Sequence, residues 1–203
     1  MATVDQSQFN KSRLDKFLLV IDLPEPLKEI TTNDLAGRKN ASLISESLQF
    51  SVYGSVIPSV VVPEKTLGYG GQNLKVSSHT RPPYANVTVN FTVDNMFNNY
   101  WTLYKWLDFL NDEKFSEFNQ KNLANIPTVA PEDRTKRTLT PQDLYTSNFS
   151  LFGKNEFDEN IVKFTYTKAF PVSLGNINYN YRDASELETT FEFAFSQFVV
   201  ELV

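Results

Sequence analysis

From Asn86 to Val93 the chain reads NVTVNFTV, and its side chains alternate without a break. Val87, Val89, Phe91 and Val93 fall on one side; Thr88, Asn90 and Thr92 fall on the other. A period of two places one set on each face of a β-strand. The polar set carries no charge, which predicts an antiparallel sheet with one face on a core and one face wet. Other segments repeat the signal. Lys16–Leu23 is a short apolar run stopped by Pro24 and Pro26. Ser47–Ile57 alternates Leu48, Phe50 and Val52 with polar partners. Asp143–Phe152 leads to a turn at Gly153–Asn155, followed by strands over Asn160–Phe170 and Ser173–Tyr181. Arg182–Leu187 is the next turn. Thr189–Val200 then alternates Phe191, Phe193 and Phe195 and slips phase at Phe198, which predicts a bulge or twist.

One helix interrupts the strands, over about Asn98–Asn111, with Asn98 or Asn99 as its cap. It is apolar around most of its circumference, so it is expected to pack on a sheet and a neighbour. The fold expected is mainly β: an antiparallel barrel or sandwich of seven or eight strands, with one main helix at its edge and long inter-strand loops. The 203 residues suit a single domain. A chain of this length buries roughly 70% of its unfolded surface and needs no covalent staple. Residues 1–14 read as a polar arm, 24–46 as an insertion with a short helix near Asn33–Ala36, and 112–142 as a polar loop. Residues 58–84 form a long connection punctuated by Pro63, Gly68, Gly70, Gly71, Pro82 and Pro83. Within it, Asn73–Ser78 is a candidate short strand. Loops of this length are often functional.

The composition removes most chemistry. There is no Cys, which excludes disulfide frameworks, zinc–thiolate centres, iron–sulfur clusters and thiol nucleophiles. The single His79 lies in a loop beside Ser77, Ser78 and Thr80, and no Gly-x-Ser-x-Gly elbow exists. Glu156, Asp158 and Glu159 cluster at a turn without a calcium-loop pattern. Glu186 and Glu188 flank another turn, with no sign of the cleft that a glycosidase pair needs. Gly68–Gly71 lacks the Lys and Ser/Thr of a phosphate loop and reads as a flexible loop tip. Asn40, Asn86, Asn90 and Asn148 match the glycosylation triplet, but the polar start of the chain holds no secretory core. The longest apolar run near that start, Phe17–Ile21, is far too short to span a bilayer. The aromatic rows Tyr179/Tyr181 and Phe191/Phe193/Phe195 read as core. No enzyme, cofactor, metal or membrane anchor is expected. The net charge of -5 argues against gripping nucleic acid, but not against surrounding it.

Three stretches, in order, resemble the tail tube proteins of contractile-tailed bacteriophages, the family of the T-even tube. They are the 58–110 block (IPSVVVPEKTLGYGG, ANVTVNFTVDN, YWTLYKWLDFL), the segment KFTYTKAFPVSLGNINYNY, and the final ELETTFEFAFSQFVVEL. In the second, Ala169–Gly175 looks like the family's aromatic-Pro-x-x-x-Gly turn. The arm and the 24–46 insertion are departures, and they leave a baseplate tube initiator open. The resemblance implies a structural virion protein forming stacked hexameric rings. These make a hollow tube inside a sheath, meeting baseplate and tail terminator proteins, and DNA passes through the lumen without specific binding. It implies residence in the virion tail after assembly in the host bacterial cytoplasm. On this reading the 58–84 loop, with Pro63, Glu64, Lys65, Leu67, Tyr69, Gly70 and Arg81, reaches the next ring or subunit. Asp183, Glu186 and Glu188, with the polar faces of the 86–93 and 160–181 strands, face the lumen. The basic patch Arg134, Lys136 and Arg137 reads as a solvated loop or as a contact with an acidic partner, which in a tube is the sheath. The alternatives are a type VI-like injection-machine tube protein and, more distantly, a carbohydrate-binding β-sandwich.

Overall fold

The structure, a computed structural model, describes residues 11–25, 27, 28, 31, 52–110, 145–182 and 184–203. The strands are β1 (Phe17–Ile21), β2 (Val52–Ser55), β3 (Glu64–Tyr69), β4 (Gln72–Ser77), β5 (Val87–Thr92), β6 (Ser147–Lys154), β7 (Asn160–Leu174), β8 (Glu188–Ala194) and β9 (Gln197–Leu202). The long helix α1 spans Asn98–Leu110. The strand expected over Ser47–Ile57 is seen as β2, its first five residues lying outside the described set. The short helix near Asn33–Ala36 and the 112–142 loop lie outside it as well.

Every ladder is antiparallel, and the strands form two layers. In the first, β1, β6, the first part of β7 and β9 are neighbours. In the second, the last part of β7 is followed by β8, β5 and β2. β7 therefore belongs to both. Residues 162–167 pair with β9, and Phe170–Leu174 pairs with β8. The change of partner falls at Lys168, whose φ of 52° is left-handed. Opposite it, β8 gives way to β9 around Phe195–Ser196, where the Ser196 N–H donates to the Thr167 carbonyl at 3.0 Å. The irregularity expected near Phe198 is this corner.

The turn expected at Ala169–Gly175 is absent. β7 runs straight through Pro171, and the strand expected over Ser173–Tyr181 stops at Leu174. Two features make the proline tolerable: at Pro171 β7 has already left β6, so it is an edge there, and the ladder to β8 shifts register between Pro171 and Ser173. The aromatic row at Tyr179 and Tyr181, expected in the core, is exposed, whereas Phe191 and Phe193 are buried as expected.

The inward residues of the first layer form three rows across its four strands. The rows are Ile21–Phe149–Tyr166–Phe198, Leu19–Leu151–Phe164–Val200 and Phe17–Gly153–Val162–Leu202. Val87, Val89, Phe91, Phe191 and Phe193 of the second layer join Leu19, Ile21, Phe149, Leu151 and Tyr166 of the first in one buried cluster. Phe193 meets Phe149 at 4.7 Å and Tyr166 at 5.2 Å between ring centroids. α1 contacts β7 and buries Leu103, Trp106 and Phe109. The Trp106 Nε1–H donates to the Tyr145 carbonyl at 2.9 Å.

The helix start differs from expectation. Asn98 and Asn99 are buried inside its first turn rather than capping it. The carboxylate of Asp94 accepts from the backbone N–H of Met96, Asn98 and Asn99 at 2.8, 3.0 and 3.1 Å. This anion sits where the helix has unsatisfied N–H donors. The Asn99 side chain in turn ties the helix to the strand before it, donating to the Thr92 carbonyl at 2.9 Å.

Candidate assembly surfaces

The 58–84 connection is not a plain loop. Its centre is a two-stranded hairpin, β3–β4, paired from Glu64↔Ser77 to Tyr69↔Gln72. Gly70 and Gly71 close it with φ of 59° and 82°, the left-handed pair that a two-residue hairpin turn requires. Across an antiparallel ladder, opposed residues share a face. One face therefore carries Lys65/Val76, Leu67/Leu74 and Tyr69/Gln72; the other carries Glu64/Ser77, Thr66/Lys75 and Gly68/Asn73. The first is apolar and the second polar, with Lys75 and Glu64 paired at 2.7 Å at the base. Every residue of both strands is exposed, including Leu67 at 53% and Tyr69 at 78%. An isolated two-stranded hairpin is marginal in water.

The predicted loop residues fall as follows. Lys65, Leu67 and Tyr69 lie on the apolar face, and Glu64 lies on the polar face. Pro63 precedes β3, and its carbonyl accepts from Ser78 N–H at 2.9 Å to close the base. Gly70 forms the turn. Arg81 lies on the return path and donates to Tyr84 Oη at 3.3 Å. The Tyr84 ring stacks on Phe195 at 5.1 Å and anchors that path to the body. The loop tip expected at Gly68–Gly71 is thus the end of β3, at Gly68 and Tyr69, followed by a two-residue turn. The signal for it, a Gly-Gly pair between apolar Leu67 and Leu74, is present in the sequence.

The second surface is the outer face of the second layer. Val87, Val89 and Phe91 of β5 and Thr189, Phe191 and Phe193 of β8 point inward, so Thr88, Asn90, Thr92, Glu188, Thr190 and Glu192 point outward. Opposed pairs on this face are Thr88↔Glu192, Asn90↔Thr190 and Thr92↔Glu188. Neither strand carries a Lys or Arg. Tyr53 of β2 donates its hydroxyl to Glu188 at 3.0 Å. Partial burial and then that carboxylate raise the Tyr53 pKa. Of the lumen candidates, Glu188 opens β8 on this face, Glu186 is exposed in the preceding turn, and Asp183 lies outside the described residues. Glu192 lies on the same face, in the direction that the inward Phe191/Phe193 alternation dictates. Arg134, Lys136 and Arg137 lie outside the described residues.

The third feature is the set of borders. In the ladders described, β1 pairs only with β6, β2 only with β5, and β9 only with β7. Among the described residues each therefore has one edge without a ladder partner.

No reactive constellation accompanies these surfaces among the described residues. His79 sits in an exposed segment with φ of 54°. Asp158 pairs with Lys16 at 2.8 Å, and that hydrogen bond lowers its pKa. Glu159 accepts from Asn155 Nδ2 at 2.8 Å, an ordinary turn network. Among the described residues no group of three or more His, Asp or Glu is placed to hold a metal. None of the described helices is long and apolar enough to cross a membrane.

The fold is an antiparallel sandwich with a projecting amphipathic hairpin. Comparison makes this specific: a family model described as phage tail tube protein matches residues 12–201, and the chain belongs to that family. It is a structural tail tube protein, not an enzyme. No curated protein matches the chain. Among solved structures, it is similar to the tube-terminating cap of the anti-feeding prophage. There the TM-score is 0.57 at 11% identity, over 98% of this chain and 97% of that one. It is also similar to a chain of the sheath/tube terminator of the extracellular contractile injection system PVC, with TM-score 0.56 at 8% identity over 96% and 99%. A chain of the PVC sheath–tube complex in the extended state gives 0.52 at 9% identity over 97% and 95%. These likenesses establish the shared fold, mainly antiparallel β.

Proposed function

We propose that copies of this chain close into hexameric rings, and that the rings stack into the inner tube of a contractile tail through which DNA is ejected. The observation that carries the reading is the outer face of β5 and β8, polar, without a cation, and bearing Glu188 and Glu192. A conduit for DNA must not bind phosphate, and hydroxyls, amides and carboxylates meet that condition. This face is the lumen wall, with Glu186 at its margin, and Asp183 remains a lumen candidate outside the described residues. The unpaired borders of β1, β2 and β9 are the material for ring closure, since a heterologous contact that closes by rotation makes a ring. The β3–β4 hairpin and its flanks reach the next ring. A sheath surrounds the tube, meeting Arg134, Lys136 and Arg137, and baseplate and terminator proteins hold its ends. The protein resides in the virion tail and is assembled in the host bacterial cytoplasm.

A second reading is a cap, initiator or related injection-system component. It is favoured by the likeness to a tube-terminating cap and a sheath/tube terminator over nearly the whole chain. Electron cryo-microscopy of the purified protein separates the two. Open-ended tubes support the first reading, and single rings that do not stack support the second. A uniform monomer at high concentration overturns both. In a solved assembly, Glu188 and Glu192 on the outer wall refute the lumen assignment.

A further inference from the structure

The inward rows of the first layer do not end beneath the second layer. Along the middle row, Leu19 and Leu151 are buried, Phe164 is half-buried, and Val200 is 53% exposed. Along the last row, Phe17, Gly153 and Val162 are half-buried and Leu202 is 87% exposed. The core face thus runs out from under its cover toward the start of β7 and the end of β9. Where it emerges, Phe17, Leu151, Val162 and Phe164, with Ile57 opposite, line an open cleft of about 850 Å³. Residues 11–14, 53–55 and 57 form the other wall of this cleft, but among the described residues Val200 and Leu202, at the β9 end of these rows, stay exposed. Apolar side chains in register across strands are half of a sheet-on-sheet contact.

The chain also carries something shaped like the other half. The hairpin is a two-stranded sheet with an uncovered apolar face of Leu67, Tyr69, Leu74 and Val76. No residue of β3 or β4 lines the cleft of its own chain. Two complementary faces that stay apart within one molecule are satisfied by a second copy, which takes one and offers the other.

We propose that the apolar face of the β3–β4 hairpin packs onto the open end of the first layer in a neighbouring copy and completes that copy's core. This rests on the reading of the chain as a self-assembling tube subunit and adds where the hairpin lands. The contact is head-to-tail, so it propagates rather than stopping at a pair.

The chain has no cysteine, so introduced thiols are unique. Leu67 and Leu202 are both exposed, and replacing either leaves the fold intact. Leu67→Cys and Leu202→Cys chains are mixed and treated with a short bis-maleimide. The mixture is expected to give a covalent dimer that neither chain yields in the same amount alone. A chain carrying both substitutions is expected to give a ladder. Thr66→Cys, one residue away on the polar hairpin face, is expected to lose most of the dimer yield with Leu202→Cys. Equal yields from Thr66→Cys and Leu67→Cys overturn the proposal. So does the absence of cross-linked product in samples where negative-stain microscopy shows rings or tubes, and that result leaves the ring reading standing. Absence of both assemblies and cross-links overturns the two together.

Discussion

Asp94 holds the helix to the sheet. Its carboxylate serves three backbone N–H groups at the start of α1, and Asn99 links the same turn to the end of β5. Asp94→Ala is expected to cost about 1–2 kcal/mol in thermal or denaturant unfolding, the range of a lost cap. Tyr166 is fully buried, and its hydroxyl has no partner among the described residues. Burial alone raises its pKa, so the group stays neutral. Tyr166→Phe removes an unsatisfied polar atom and is expected to be neutral or stabilising by up to about 1 kcal/mol. Phe193→Ala, in the same cluster, is expected to cost about 3–5 kcal/mol. Gly175 allows a close approach: a Cβ there would lie 2.6 Å from Thr190 Oγ1 and 3.0 Å from the Thr190 carbonyl oxygen. Gly175→Ala should therefore destabilise by roughly 1–3 kcal/mol, as overpacking does. At this scale the sequence was only half legible. Asn98 and Asn99 are good caps by type, but burial of the first turn against the sheet passed the role to Asp94. Nothing local announces that burial.

The element that most needed correcting is β7. Pro171 reads as the end of a strand, yet β7 continues past it because its neighbours have already changed around Lys168. A change of partner is a long-range event, and the pattern along one segment does not carry it. The β5 alternation, by contrast, is set by the segment itself, and the strand falls where the side chains place it. The hairpin lies between these cases. Its Gly-Gly turn and apolar alternation were both present, and its prolines and length masked them. If its exposed face is an assembly contact, Leu67→Asp should leave the melting temperature within a degree or two, since surface substitutions usually move stability by no more than about 0.5 kcal/mol. The same substitution should abolish stacking in negative-stain images, as deletion of 58–84 should. Normal tubes from either variant would remove the hairpin from the assembly.

At the scale of the whole molecule, the fold class followed from the strand patterns. The layering did not, because it depends on β7 and the bent β8–β9 serving both sheets. The lumen assignment makes a prediction at this scale. The double substitution Glu188→Lys, Glu192→Lys reverses the sign of the outer face while leaving the inward Phe191 and Phe193 untouched. Tubes should still form, and they should retain DNA in a salt-dependent way that the native tube does not. Equal DNA retention by both tubes would place these residues away from the path.

The shared strands also bear on mechanical strength. Since β7, the longest strand, pairs in both sheets, and β8 passes directly into β9 beside it, separating the sheets means breaking ladders on both sides of that corner. Force along those strands meets many ladder hydrogen bonds in shear at once rather than one after another. A particle made from such subunits is stiff within each block, and its give is confined to the joints between blocks.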